Sequence, residues 1–335
     1  MTTPIVAITM GDPAGIGAEI ALKALCRPDL RARCRPVLIG DLHIFQRAAA
    51  LIEDAPALCP VADLDGARYG DAVEVLPAAI PVPPDVPCWG AIDIETARAM
   101  LAPLDLACDL AVAGCIQGIV SGPLNKEAFS LLGHPHRDEL DYMAERTHRP
   151  DAFILGIMRG VWVTAVAEHV PFRAIADLIT TASVLRYIDG LYDVMRRAGY
   201  EAPRIAVAAL NAHGGEGGAL GMEEITEIGP AVESACAKGI DVTGPVPADT
   251  VFGRALGGEF DGVVAMYHDQ ANIARKLQPM AERVTLFEGL PVPCSTTAHG
   301  VAYDIAGQGI ADEGGMQAAL EHVVQLATGG AGAPH

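Results

Sequence analysis

Three histidines each follow a strongly apolar run. They are His169 in Ala167-Glu168-His169-Val170-Pro171, His213 in Leu210-Asn211-Ala212-His213-Gly214-Gly215-Glu216-Gly217-Gly218, and His268 in Met266-Tyr267-His268-Asp269-Gln270. Three imidazoles that meet can hold one divalent metal and leave a position open for a substrate oxygen. Neutral imidazole suits zinc, cobalt, nickel or iron better than magnesium. Spacing alone does not bring the three together, and a lone histidine after a strand is more often a loop or core residue. Asp249 and Asp269 are carboxylates that could orient a ligand imidazole or assist proton movement. Asp249 also reads as a helix N-cap. Lys276, eight residues beyond His268, could bind an anionic oxygen or pass a proton, and its apolar neighbours Ile273, Ala274 and Leu277 weaken the reading as a solvated lysine. Lys126, after a Gly-Pro turn, ranks below it.

Parallel α/β sheets place their chemistry just beyond the strand ends. The run Ile5-Val6-Ala7-Ile8-Thr9-Met10 predicts a buried strand, followed by a Gly/Pro turn and a helix over 18–25. Val37-Leu38-Ile39 predicts a second strand, and a helix follows at about 44–51. This alternation implies a parallel sheet covered by helices. The stretch 77–87 is proline-rich and predicts surface. A long helix is expected over 93–113, then a short strand at Gly118-Ile119-Val120 that delivers Ser121-Gly122-Pro123 to a loop. Residues 153–157 and 161–167 predict a hairpin around Met158-Arg159-Gly160. Helices are expected over 172–179 and 182–198, and strands over 204–210 and 262–266. No internal repeat is present. Gly11-Asp12-Pro13-Ala14-Gly15-Ile16-Gly17 matches neither the G-x-G-x-x-G string nor a P-loop ending. It reads as a tight strand-to-helix turn or as a backbone approach to a ligand at a helix N-terminus, with Gly15 a candidate cofactor contact.

Composition bounds these readings. The chain has 335 residues, 51% apolar and 19% charged, with material for one large α/β domain or two sharing a cleft. Acidic residues number 42 and basic residues 23, a net charge of −19 that disfavours nucleic-acid binding. An anionic substrate would then need a local positive centre, either a metal or a specific Lys or Arg. The cysteines Cys26, Cys34, Cys59, Cys88, Cys108, Cys115, Cys236 and Cys294 are scattered without a C-x-x-C pair. They read as reduced thiols of a cytoplasmic protein. The start Met1-Thr2-Thr3-Pro4 has no basic leader, and no run approaches 18 apolar residues, so neither a signal peptide nor a membrane span is expected.

Together with Met10 to Gly17 and Ser121-Gly122-Pro123-Leu124-Asn125-Lys126, the histidine strings resemble the 4-hydroxythreonine-4-phosphate dehydrogenase family of pyridoxal phosphate synthesis. The resemblance runs in order from about Ile5 to about Leu326. It implies an α/β fold of the isocitrate/isopropylmalate dehydrogenase kind, with two subdomains flanking a cleft, one of about 1–130 plus 285–335 and one of about 131–284. It implies NAD or NADP as cofactor and one divalent metal on His169, His213 and His268. Lys276 matches a substrate-contacting lysine. A homodimer with the active site completed across the interface is also implied. The run His299-Gly300-Val301-Ala302-Tyr303-Asp304-Ile305-Ala306-Gly307-Gln308-Gly309 resembles the adenosine-binding loop of isopropylmalate and isocitrate dehydrogenases. By that resemblance His299 and Gly300 approach adenine and ribose, and Asp304 helps hold the loop.

The chain departs from the family at its substrate positions. Glu139 and Leu140 stand where the family has a His-Thr pair, and Thr285 and Cys294 where it has Asn and Arg. An arginine forks onto phosphate oxygens with paired, charge-assisted hydrogen bonds, which a thiol cannot do. A charged Glu139 would repel phosphate. The departures therefore favour metal-dependent, NAD(P)-linked oxidation of a secondary alcohol, with decarboxylation, on a non-phosphorylated hydroxy acid or a cis-dihydrodiol carboxylate of the terephthalate type. The alternatives are 4-hydroxythreonine 4-phosphate as substrate, and a non-catalytic metabolite-binding protein of the same fold.

Overall fold

The first strand has no polar face. Val6, Ala7 and Ile8 are fully buried, as in a parallel strand covered on both sides. The computed structural model describes residues 3–83, 89–91, 94–136 and 138–329. Cys88, the helix start expected at Asp93 and the last four residues of the 77–87 stretch lie outside them. The strands of the described residues are β1 (Ile5–Thr9), β2 (Arg35–Ile39), β3 (Leu58–Pro60), β4 (Val73–Leu76), β5 (Gly118–Ser121), β6 (Phe153–Met158), β7 (Val161–Ala167), β8 (Ile205–Ala208), β9 (Val242–Val246), β10 (Gly262–Tyr267), β11 (Arg283–Glu288) and β12 (Cys294–Thr297).

The chain divides into two units. The first comprises Met1–Phe153 with Val284–Thr328, and the second is built on Ile154–Arg283. The first boundary falls at 153 rather than near 130. The helix Glu139–Arg146 packs on the long helix Ile94–Val112, and its side chains bond there. Tyr142 Oη donates to Asp105 Oδ1 at 2.5 Å, and Arg146 Nη2 donates to Asp109 Oδ2 at 2.8 Å.

In the first unit the strand order is β3-β4-β2-β1-β5-β12-β11. All neighbours are parallel except β11 against β12. In the second unit the order is β6-β7-β10-β8-β9, parallel except for the β6–β7 hairpin. That hairpin turns at Arg159 (φ 48°) and Gly160 (φ 80°), the left-handed pair that matches strand twist in a two-residue turn. The second unit's core joins Val163, Ala165, Val263 and Ala265 of the central strands to Val251, Phe252 and Ala255 of the helix Ala248–Leu256.

Two local expectations change. The helix Thr181–Arg197 forms behind a Thr180/Ser183 capping box. Residues 172–179 do not form one helix but a 3₁₀ turn, Phe172–Ala174, and a short helix, Ile175–Leu178. Strands β3, β9 and β12 carry Pro, Gly or Thr and lack an apolar run, so the pattern misses them. Among the described residues no helix is long and apolar enough to cross a membrane.

Candidate active site

In the second unit, register brings two of the histidine strings together. β7 and β10 are parallel neighbours with Ala167 opposite Tyr267, so the residues that follow each strand emerge side by side. The His169 and His268 rings lie 5.6 Å apart between centroids. One ligand atom each from Glu168, His169 and His268 lies within 4.8 Å of the others. Asp269 Oδ1 sits 2.7 Å from His268 Nδ1. That contact favours the proton on Nδ1 and leaves Nε2 available to a metal. His169 (φ 50°) and His213 (φ 53°) both have left-handed backbones, which non-glycine residues seldom adopt and which cluster at functional sites.

His213 does not join this group. It follows β8 in a loop where residues 213–217 are all left-handed. The loop is held from beneath by buried Glu224, whose Oε1 accepts from the Leu210 and Asn211 backbone N–H at 2.9 and 2.7 Å. His213 itself is exposed, with Nδ1 2.9 Å from Glu216 Oε1. Within one chain the described residues thus bring His169 and His268 together beside Glu168 and leave His213 apart. His213 lines a cleft of about 560 Å³ with Asp249, Asp269, Tyr267 and Phe252. Asp249 is in the first turn of its helix, and Pro247 rather than Asp249 occupies the N-cap. Lys276 is exposed in the last turn of the helix His268–Lys276 and does not line this cleft. Its neighbour Arg275 is the buried one, 8% exposed. Two imidazoles and a carboxylate fit a borderline divalent ion such as zinc, cobalt, nickel or iron better than magnesium, which takes oxygen ligands.

In the first unit three motif segments meet. Tyr303 Oη donates to Asp12 Oδ2 at 2.5 Å and accepts from Asn125 Nδ2 at 3.1 Å. Burial, with the Asp12 carboxylate alongside, holds the Tyr303 phenol above its usual range, so it stays a donor. Asp12 Oδ1 accepts from Ala14 N at 2.9 Å, and Ile16 N donates to Val301 O at 3.1 Å. The glycines serve this junction. A Cβ on Gly11 (φ 69°) would lie 2.7 Å from Pro123 O, and one on Gly15 would lie 2.8 Å from Val301 O. Gly15, expected to contact the cofactor, is buried beneath Val301 instead. Asp304, expected to hold the loop, has an exposed side chain, and Tyr303 makes the tie.

His299 Nδ1 lies 3.0 Å from the Gly300 carbonyl, and among the described residues its buried Nε2 has no hydrogen-bond partner. A Cβ on Gly300 would meet open space. An orphaned ring nitrogen beside an open glycine fits a dinucleotide's adenosine end.

The four departure positions have mixed fates. Glu139 opens its helix behind the Asp138 cap. Burial pushes its carboxyl up to about 7, against the pull of the Ser121 and Thr296 hydroxyls. It is therefore not the fixed negative charge the sequence suggested. Leu140 (7% exposed) and Cys294 (1%) are core residues rather than substrate contacts. Cys294 Sγ packs 3.8 Å from Met143 Sδ, and burial raises its thiol pKa. Thr285 is half-buried on β11, opposite Thr296. Sequence reading passed over Glu168 and Tyr303, although each sits beside a residue it singled out.

Two α/β units and a largely parallel sheet are the fold also found in the β-decarboxylating dehydrogenases. One such enzyme from Thermococcus kodakarensis shares it at TM-score 0.50 and 16% identity, over 95% of this chain and 81% of that one. Residues 32–323 match the family described as pyridoxal phosphate biosynthetic protein PdxA, and the chain belongs to that family. It is an oxidoreductase, a dehydrogenase that uses a nicotinamide dinucleotide. A 4-hydroxythreonine-4-phosphate dehydrogenase from Desulfosudis oleivorans is 37% identical over 97% of this chain and 96% of its own. A D-threonate 4-phosphate dehydrogenase from Cupriavidus necator is 36% identical over 97% and 98%. The solved 4-hydroxythreonine-4-phosphate dehydrogenase of Klebsiella pneumoniae has TM-score 0.84 and 34% identity over 97% of this chain and 98% of that one. A terephthalate 1,2-cis-dihydrodiol dehydrogenase from Burkholderia xenovorans is further away, at TM-score 0.69 and 27% identity over 96% and 98%. The preference for a dihydrodiol-type substrate is not supported by these similarities, which favour the phosphorylated alternative.

Proposed function

We propose that this chain oxidises the secondary alcohol of a short hydroxy acid ending in phosphate, of the hydroxythreonine 4-phosphate or threonate 4-phosphate kind, and passes the hydride to NAD or NADP. The observation that carries the reading is the meeting of Glu168, His169 and His268 at the ends of two adjacent strands, in a chain that matches such dehydrogenases along nearly its whole length. A bound divalent cation stabilises the alkoxide form of the substrate hydroxyl. The chain's own residues do the rest. Asp269 fixes the His268 ring in the ligand tautomer. Asp249, exposed on the cleft wall with Asp269, is the residue we assign to take up the hydroxyl proton. His299 and Gly300 hold the adenosine end of the cofactor. With Cys294 where the family has an arginine, that position offers the phosphate no guanidinium. Burial keeps Glu139 partly protonated near neutrality, so it carries less than a full negative charge there.

A homodimer belongs to this proposal. The exposed Ile273 and Leu277, on the helix that begins with His268 and at its C-cap, are the apolar surface we expect it to cover. Sedimentation at twice the chain mass is the expected outcome.

The test offers metal-reconstituted protein 4-hydroxythreonine 4-phosphate, D-threonate 4-phosphate and the terephthalate cis-dihydrodiol side by side, and follows NAD(P)H absorbance. Turnover of a phosphate ester at least about tenfold above the dihydrodiol is expected. Turnover of the dihydrodiol alone overturns the phosphorylated substrate and leaves the dehydrogenase chemistry standing.

A further inference from the structure

The loop from His299 to Gly309 contains no helix or strand, so its backbone polar groups must find partners on other elements. We propose that Lys23 and Glu19, an ion pair on the helix Gly17–Leu25, are positioning residues for the dinucleotide. They clamp the far end of this loop, so that its near end, His299 and Gly300, meets the adenosine already ordered. The inference rests on the cofactor reading above and extends it to two residues that act only through the loop.

Lys23 Nζ donates to the carbonyls of Gly309 and Ala311 at 2.9 and 2.7 Å. Glu19 Oε1 accepts from Ala311 N at 2.9 Å and lies 2.9 Å from Lys23 Nζ. The Glu19 side chain is fully buried, and that of Lys23 is 17% exposed. Being four residues apart, the two share one helix face. The ammonium neutralises the carboxylate, and together they satisfy three backbone groups where the loop ends. Two further contacts fix its middle. Tyr303 Oη bonds Asp12 and Asn125, and Gly307 lies against Trp89, where a Cβ would come within 2.6 Å of the indole. The start is the open end. Among the described residues the buried His299 Nε2 has no partner, and a Cβ on Gly300 would meet nothing.

A buried ion pair is a poor way to stabilise a fold, because desolvation of both charges offsets most of their attraction. An apolar pair would fill the same volume with less penalty, but it could not hold two carbonyls and an N–H in place. Gly307 (φ 79°) and Gly309 (φ 72°) open many alternative backbone states to this segment, and the clamp removes them. A loop that is ordered before its ligand arrives loses less conformational entropy on binding, and the difference appears as affinity. Lys23 and Glu19 therefore bear on how tightly the dinucleotide is held more than on whether the unit folds.

The test measures dinucleotide binding rather than turnover. NADH and NADPH are titrated, by the fluorescence of the bound nicotinamide, into wild type, Lys23→Met, Lys23→Arg, His299→Ala and Lys238→Met, with circular dichroism as the folding check. Methionine keeps the apolar stem of Lys23 and removes its donors. Lys238 pairs with Asp189 in the second unit and controls for the loss of a lysine–carboxylate contact as such. We expect K23M to raise Kd for the preferred dinucleotide about 10-fold, K23R to recover most of the loss, and K238M to match wild type. Wild-type affinity in folded K23M, or K23R no better than K23M, overturns the clamp, and lost binding in H299A then leaves the loop assignment standing. Binding of neither dinucleotide by the wild type overturns the cofactor reading and the clamp together. If K23M fails to fold, amide hydrogen exchange of the wild type decides. Protection of the Ala311 N–H that is present without cofactor and unchanged by it supports the clamp, and protection gained only with cofactor overturns it.

Discussion

The loop junction of the first unit and the histidine cluster of the second are built in opposite ways. At the junction, Gly11, Gly15 and Gly122 press backbone against backbone, and Asp12, Tyr303 and Asn125 bond one another. The side-chain polar atoms of those three residues all have partners within the chain. At the cluster, His169 is exposed, Glu168 and His268 are half-buried, and Asp249 and Asp269 face solvent. The first arrangement is closed by its own hydrogen bonds and close backbone contacts. The second concentrates like charges and left-handed backbone, an arrangement that a cation would relieve. A scaffold buries its polar groups in pairs, whereas a binding site leaves donors open and depends on rigid strands beneath to aim them.

Mutations should separate the two regions cleanly. His268→Ala should cost at least about 10³-fold in kcat/KM, about 4 kcal/mol of transition-state stabilisation, while the melting temperature of metal-free protein stays within a few degrees. A large drop in that temperature would mean the cluster is structural as well. Gly11→Ala should do the reverse. Its Cβ meets Pro123 O at 2.7 Å on a left-handed backbone, and we expect a loss of about 3 kcal/mol in denaturant titration, with metal affinity unchanged in the folded fraction.

Glu139 sharpens the contrast through pH. Burial raises its carboxyl from 4.5 to about 7, so the folded state binds the proton more tightly than the unfolded chain. Stability should therefore fall as pH rises from about 4.5 to about 7 and level off above, by on the order of 3 kcal/mol at most. Glu139→Gln should flatten that slope in urea titrations at successive pH values, and an unchanged slope would refute the buried-acid account. The smallest expected effect is at Asp269. Asp269→Ala removes the partner of His268 Nδ1 and should weaken Zn²⁺ binding about tenfold, about 1.4 kcal/mol, without moving the melting curve of the metal-free protein.

Much of this was readable in the sequence. Strands β1, β7, β8 and β10 announce themselves as apolar runs, and His169 and His268 were found because each stands just past such a run. The hairpin turn was legible from Met158-Arg159-Gly160, and the family from motifs in order along the chain. These features are local: burial on both faces requires continuous apolar residues, and tight turns require particular residue types. The short polar strands β3, β9 and β12 carried no such signal.

The remaining assignments depended on contacts between distant segments. Register between β7 and β10 selected Glu168 for the cluster, and the course of the loop after β8 set His213 apart. Packing of the His299–Gly309 loop on the Gly11 turn gave Tyr303 rather than Asp304 the tie, across 291 positions of chain. Burial turned Leu140 and Cys294 from expected substrate contacts into core residues and brought the Glu139 carboxyl close to neutrality. Residue type and spacing establish which groups are available for chemistry. Which of them share a site, and in what charge state, follows from desolvation and from three-dimensional neighbours that only the folded chain supplies.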